Sequence, residues 1–265
     1  VLLKITNYCS MGCSHCVEDS TVAGSHMTWE TFLRALDFTR RIERSAYEAG
    51  CPRKLLLSGG ECTEHPEIVR FAEEVVRQGF ELVLITNGLW LRDPELRQAL
   101  LRSEWKTLFV QVTNDARFYP KKPELVDDPR VVYVESLTHL IPLGRAARKK
   151  NIERHGVPMK HAPTSFNMRS ATRSLGSFEK AVALLRMRAA TGSSWGNCTP
   201  SISDDGSVMA GETRLCFRVG TVDSTNEELT KAVIEMRCNA CGLVDNLTQE
   251  QKRAIGEATL YLGTE

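Results

Sequence analysis

Three cysteines near the start, Cys9, Cys13 and Cys16, constrain this 265-residue chain more than any other feature. They are spaced C-x3-C-x2-C directly after an apolar, strand-like run from Val1 to Ile5. Three thiolates are one short of the four that close a structural zinc site. A cubane [4Fe-4S] cluster held by three cysteines instead keeps one iron open for another ligand. The spacing therefore predicts an open metal position at the end of the first strand.

The rest of the chain predicts what carries that position. Apolar, β-branched runs at Val1–Thr6, Lys54–Ser58, Phe80–Thr86, Thr107–Thr113 and Val131–Glu135 read as strands, with a weaker sixth at Ser165–Met168. Helical periods separate them. Trp29, Phe32, Leu33 and Leu36 recur at helical spacing between a Thr28 N-cap and a stop at Gly50. Pro66 opens a second helix that Gly79 ends, and Pro94–Arg102 and Ser177–Ala190 are two more. Alternating βα units imply an α/β fold with a parallel sheet. Five or six units fall short of a full eight-unit barrel, so the expectation is an open, partial (β/α)6 barrel over residues 1–192. From about Trp195 the texture changes. Asp205-Gly206 marks a tight hairpin turn, and Asn226–Met236 reads as a helix. Residues 193–265 are expected to form a small cysteine-rich hairpin and helix appendage.

The three-cysteine motif resembles that of the radical S-adenosylmethionine (SAM) superfamily. The resemblance implies a [4Fe-4S] cluster at Cys9, Cys13 and Cys16, whose open iron chelates SAM and whose electron cleaves it to a 5′-deoxyadenosyl radical. It extends to Ser58-Gly59-Gly60-Glu61 at the end of the second strand, and implies that the methionine group of SAM lies against Gly59, Gly60 and Glu61. The third strand ends in Thr86-Asn87-Gly88, which the resemblance places on the adenosine side. Thr113 and Asn114, ending the fourth, offer short polar side chains for the ribose hydroxyls or the methionine carboxylate, or else for capping the next loop. Gly144-Arg145-Ala146 matches a segment of relatives with an extra cluster domain, which assigns Arg145 to a carboxylate, that of SAM. Proline commonly follows Gly-Gly-Glu in that family. Here the residue is Cys62, which puts a thiol near the expected active site as a small buried side chain, a ligand or a hydrogen donor.

Cys198, Cys216, Cys238 and Cys241 are spaced C-x17-C-x21-C-x2-C. Four thiolates suit zinc or an iron–sulfur cluster. The arrangement resembles the shortened, twitch type of the SPASM auxiliary domain, which implies an auxiliary [4Fe-4S] cluster, with zinc as the alternative. The expected activity is that of a radical SAM oxidoreductase acting on a ribosomally made peptide. The alternatives are a dehydrogenase, epimerase or mutase of a small sugar- or cyclitol-like metabolite, or a barrel with a structural zinc site. A flavodoxin- or ferredoxin-type protein is the implied electron donor.

Composition narrows the partners. A formal net charge of +1 gives no electrostatic footprint for nucleic acid. No apolar run approaches the roughly 20 residues of a membrane helix, and no signal-peptide pattern is present. Seven of the nine cysteines gather into two ligand-like groups, leaving Cys51 and Cys62 over, which points to thiolates rather than disulfides, hence a reducing cytoplasm. The sequence opens at Val1, without an initiator methionine, as one lacking its natural N-terminus would.

Overall fold

The computed structural model describes residues 1–114, 119–134, 144–148, 168–190 and 199–236. Eight strands among them form one sheet: β1 Leu2–Thr6, β2 Lys54–Gly59, β3 Glu81–Thr86, β4 Phe109–Thr113, β5 Val131–Val134, β6 Ser201–Ile202, β7 Ser207–Met209 and β8 Arg218–Thr221. Their order is β5-β4-β3-β2-β1-β6-β7-β8. Every pairing from β5 through β6 is parallel, and the last two are antiparallel. This is an α/β fold with a mostly parallel open sheet, consistent with a partial barrel.

Register explains where the core lies. Leu3 pairs with Leu57, Leu57 with Leu84, Leu84 with Val110 and Val110 with Val131. All five are buried. Side chains alternate across a strand, so the neighbouring row, which includes Lys4 and Ser58, falls on the opposite face. One face of the sheet is thus apolar and covered by helices, while the other carries polar side chains toward the inside of the open barrel.

Helix α1 spans Trp29–Ile42 and starts where Thr28 accepts the Thr31 amide, as expected of that cap. Phe32 stacks on Phe71 of α3, Ile68–Arg77, with centroids 4.1 Å apart. Burying each such ring contributes about 1.5–3 kcal/mol. The helix does not run on to Gly50. It breaks at Glu43 (φ −101°, ψ 7°), and a short α2, Arg44–Glu48, follows. Glu43 is fully buried, and its carboxylate accepts the Tyr47 hydroxyl at 2.5 Å and ion-pairs with Arg186 at 3.3 Å. Helix α4 is Pro94–Leu100, with Asp93 capping its amides.

The expected sixth strand at Ser165–Met168 differs. Its first three residues lie outside the described ones, and Met168 opens a helix, α5, Met168–Leu175. The sixth parallel position is taken instead by β6, beside β1. The Asp205-Gly206 hairpin is present, and it joins the barrel sheet across the expected boundary at 192/193. Helix α6, Phe178–Ala190, packs near α2, and α7, Asn226–Glu235, begins with a Thr225/Glu228 capping box. No helix among the described residues is long and apolar enough to cross a membrane.

Candidate active site

Barrel chemistry belongs at the C-terminal ends of parallel strands, and the predicted residues meet there. A cleft of about 320 Å³ is lined by Cys9, Cys13 and Cys16, by Ser58 to Glu61, by Thr86, Asn87 and Thr113, and by Arg145. Lys4, Glu18 and Tyr119 also line it. Asn114 is not among the lining residues; its amide continues the β4–β5 ladder by donating to Val134 O at 2.9 Å.

The cysteine loop leaves β1 and is held from several sides. Cys9 N–H donates to Thr21 O at 3.1 Å, and Cys16 N–H to Cys13 O at 3.3 Å. Glu64 accepts the Ser10 amide at 2.8 Å and also its hydroxyl. Met11 packs between the buried Cys9 and Cys13, with Cys16, Leu89 and Tyr119 against them. His15 lies over Tyr119 at 5.3 Å between ring centroids, in keeping with loop packing. Burial pushes the Cys9 thiol up to about 11 and Cys13 up to about 12. Loading a metal here must displace those protons.

The donor set fits a cluster. Three thiols face one cleft behind an apolar screen. Among the described residues no three ligand side chains are drawn together tightly enough for a single ion. A multi-iron cluster bridges its cysteine ligands with its own sulfides, and three thiols at one cleft are the donor set that it takes. Asn87 adds a second sign of a ligand. Its Oδ1 accepts the Leu89 amide at 2.9 Å, but its Nδ2 is buried with no protein partner. A buried donor left bare costs about 1–3 kcal/mol, and SAM in this cleft would supply an acceptor.

The Gly-Gly-Glu turn has a structural duty that its sequence does not announce. A Cβ on Gly59 would lie 2.3 Å from Thr6 O, and one on Gly60 2.3 Å from Tyr8 O. Gly60 N–H donates to Thr6 O at 2.8 Å and Glu61 N–H to Tyr8 O at 2.9 Å. The glycines therefore let the end of β2 lie against the chain that enters the cysteine loop. The Glu61 carboxylate accepts Thr63 N–H (3.1 Å), the Thr63 and Thr86 hydroxyls (2.6 Å each) and Asn87 N–H (2.6 Å). Burial pushes its carboxyl above the usual range, against the pull of those four bonds. Glu61 thus ties the second and third strand ends together.

Cys62 is not at the cleft. It is fully buried in the hydrophobic core, and its thiol meets Ile85 O at 3.4 Å. The small-buried-side-chain reading stands, and the ligand and hydrogen-donor readings lose their geometry.

Two charged groups that sequence reasoning did not single out complete the site. Lys4 points to the barrel interior from β1, and its Nζ lies 2.6 Å from Glu18 Oε1. Their side chains are 7% and 11% exposed. Glu18 also accepts the Arg214 amide at 3.0 Å through Oε2 and Arg214 Nε at 2.8 Å through its carbonyl. This links the cysteine loop to the segment bearing Cys216. A lysine at an even position of an apolar strand is the only sequence signal that could have marked Lys4. Cys216 lies near Thr213, Sγ to Oγ1 3.6 Å. Cys198, Cys238 and Cys241 lie outside the described residues.

No curated protein matches the sequence. The crystal structure of BtrN in complex with AdoMet and 2-DOIA shares the fold, with TM-score 0.52 and 13% identity, over 94% of this chain and 95% of that one. Streptococcus suis SuiB bound to S-adenosylmethionine matches at TM-score 0.46 and 10% identity, over 89% of this chain and 67% of that one. Residues 3–127, which hold the cysteine loop, the Gly-Gly-Glu turn and the Thr86-Asn87 strand end, match the family model of the Radical SAM superfamily.

Proposed function

We propose that this chain is a radical SAM oxidoreductase. The observation that carries the reading is the meeting of three thiols, the Gly59-Gly60 backbone and the unpaired Asn87 amide in one cleft at the strand ends. When bound there, a [4Fe-4S] cluster and SAM supply reductive cleavage of the sulfonium and abstraction of a substrate hydrogen. The chain's own part is to hold and shield. Cys9, Cys13 and Cys16 are the cluster ligands. Gly59, Gly60, Asn87 and Thr113 line the SAM position, and Met11, Leu89 and Tyr119 keep water from it.

Oxidation needs a second electron acceptor. Cys198, Cys216, Cys238 and Cys241 are the proposed ligands of an auxiliary [4Fe-4S] cluster, with zinc as the alternative occupant. The Glu18–Arg214 bonds support this reading, because they fix the Cys216 segment beside the cleft. The proposed substrate is a side chain of a ribosomally made peptide, entering the cleft from solvent. A small sugar- or cyclitol-like metabolite is the second reading, favoured by the buried Lys4–Glu18 pair, which offers a donor and an acceptor together on the cleft wall. A flavodoxin- or ferredoxin-type protein is the proposed electron source.

The test is anaerobic. Protein reconstituted with iron and sulfide is expected to hold about eight irons, falling to about four in the Cys9/Cys13/Cys16 triple alanine variant. With dithionite and SAM it should release 5′-deoxyadenosine, and the variant should release none. A full-iron protein that leaves SAM intact would overturn the radical reading. About four irons with one zinc would remove the oxidative step and keep SAM cleavage.

A further inference from the structure

The Gly144–Ala147 turn reaches back over the cysteine loop. Gly144 sits at φ +54°, and a Cβ there would meet Cys16 O at 2.7 Å and Val17 O at 2.8 Å. Only glycine permits so close an approach. The next residue uses it fully. Arg145 N–H donates to Cys16 O at 3.0 Å, its Nε to Cys13 O at 2.8 Å and its Nη1 to Ser20 O at 2.7 Å. Nη1 also ion-pairs with Asp19 Oδ1 at 3.2 Å, and Arg148 meets the other Asp19 oxygen at 3.3 Å. The Arg145 side chain is 12% exposed and that of Asp19 34%. Asp19 is the only non-glycine among the described residues with positive φ, at 54°. The guanidinium is therefore fixed, shielded from solvent and set against the carbonyls of Cys13 and Ser20, with its countercharge farther out.

We propose that Arg145 is a positioning residue for the Cys9/Cys13/Cys16 cluster and that its charge raises the cluster's reduction potential, with Asp19 offsetting part of the effect. The proposal rests on the radical SAM reading for the presence of that cluster. Three thiolates around a cubane leave it negative, and the entering electron makes it more so. A cation held nearby in low dielectric favours the reduced form, and cluster potentials respond to net charge and hydrogen bonding around the ligands. The planar fork matters as well as the charge. One guanidinium joins Cys13 O to Ser20 O, which an ammonium cannot do with the same fixed geometry. This role differs from the SAM carboxylate expected of Arg145 from sequence, since the bonds described here go to the loop itself.

The experiment is a one-electron redox titration of the reconstituted, SAM-free protein with dithionite as reductant. It is read by the electron paramagnetic resonance signal that disappears in Cys13→Ala. Arg145→Gln should lower the reduction equilibrium at least tenfold, about 59 mV for one electron. Arg145→Lys keeps the charge and should stay within about threefold of the parent while binding less iron. Asp19→Asn should shift the potential in the opposite direction from Arg145→Gln, and asparagine accepts the positive φ of that position. If Arg145→Gln assembles no cluster, Asp19→Asn decides alone by its upward or absent shift. Parent-like potentials in both neutral variants, or equal shifts in the Gln and Lys variants, would overturn the proposal. A parent protein that assembles no cluster at these cysteines would overturn it together with the reading beneath it.

Discussion

Replacing Gly60 by alanine tests whether the Gly-Gly-Glu turn is a structural hinge for the cysteine loop. The added Cβ would stand 2.3 Å from Tyr8 O and 2.9 Å from the Ser20 Cβ, whereas ordinary contact begins at 3.4 Å. Neither neighbour is the end of a flexible side chain. The two backbones must part by about 1 Å. That separation breaks Gly60 N–H to Thr6 O and Glu61 N–H to Tyr8 O. Each loss leaves a buried partner bare at about 1–3 kcal/mol, so the pair costs roughly 2–6 kcal/mol out of a typical 5–15. Gly12→Ala is the control. Its φ of +66° carries strain of about 1–2 kcal/mol, but nothing lies within 4 Å of the new methyl. Urea unfolding of the metal-free proteins gives both values, and iron content after reconstitution reports the loop. Gly60→Ala should lose more stability than Gly12→Ala and bind less iron, since Tyr8 adjoins Cys9. A Gly60→Ala protein within 1 kcal/mol of the parent would refute the argument.

Glu61→Gln keeps the shape but turns a donor toward Asn87 N–H. It should cost about 1–3 kcal/mol in urea unfolding and weaken SAM binding, measured by calorimetry, through the displaced Asn87. Cys62→Ala removes a buried sulfur that does not line the cleft, and should lose about 1 kcal/mol while 5′-deoxyadenosine release stays at the parent rate. His65 donates through Nε2 to Met27 O and accepts Glu67 N–H at Nδ1, each at 3.0 Å. Burial holds its imidazole below the usual 6.5, so the unfolded chain takes up that proton first. Stability is then full above about pH 6.5 and falls as the solution becomes more acid. A pH series of unfolding midpoints should show that slope, flattened in His65→Gln.

The five barrel strands were legible because each is a short apolar run bounded by turn residues. Lys54–Ser58 became Lys54–Gly59, and Phe80–Thr86 became Glu81–Thr86. The Thr28 cap was legible for the same local reason. The break at Glu43 was not, because it comes from a carboxylate drawn to Tyr47 and to Arg186, the latter distant in the chain. The cleft residues could be named from motifs, but their division of labour could not. Glu61 and Arg145 were named as ligand contacts, and the motifs gave no sign of the bonds by which Glu61 joins the second and third strand ends and Arg145 grips the cysteine loop. Lys4 and Glu18 carry no motif at all; the register of β1 turns Lys4 to the cleft, and the return of the cysteine loop brings Glu18 against it.

The place of β6 has a consequence for how the chain is made. Leu2 pairs with Ser201 and Leu3 with Ile202, so one edge of β1 stays open until the chain has been made through Ile202. Contacts that span so much chain close slowly, and an open strand edge invites pairing with other molecules meanwhile. The same strand leads into the cysteines. Cluster insertion and completion of the sheet thus compete in time around one short segment, and slow synthesis or early loss of the 199–209 hairpin would expose it to aggregation before the metal arrives.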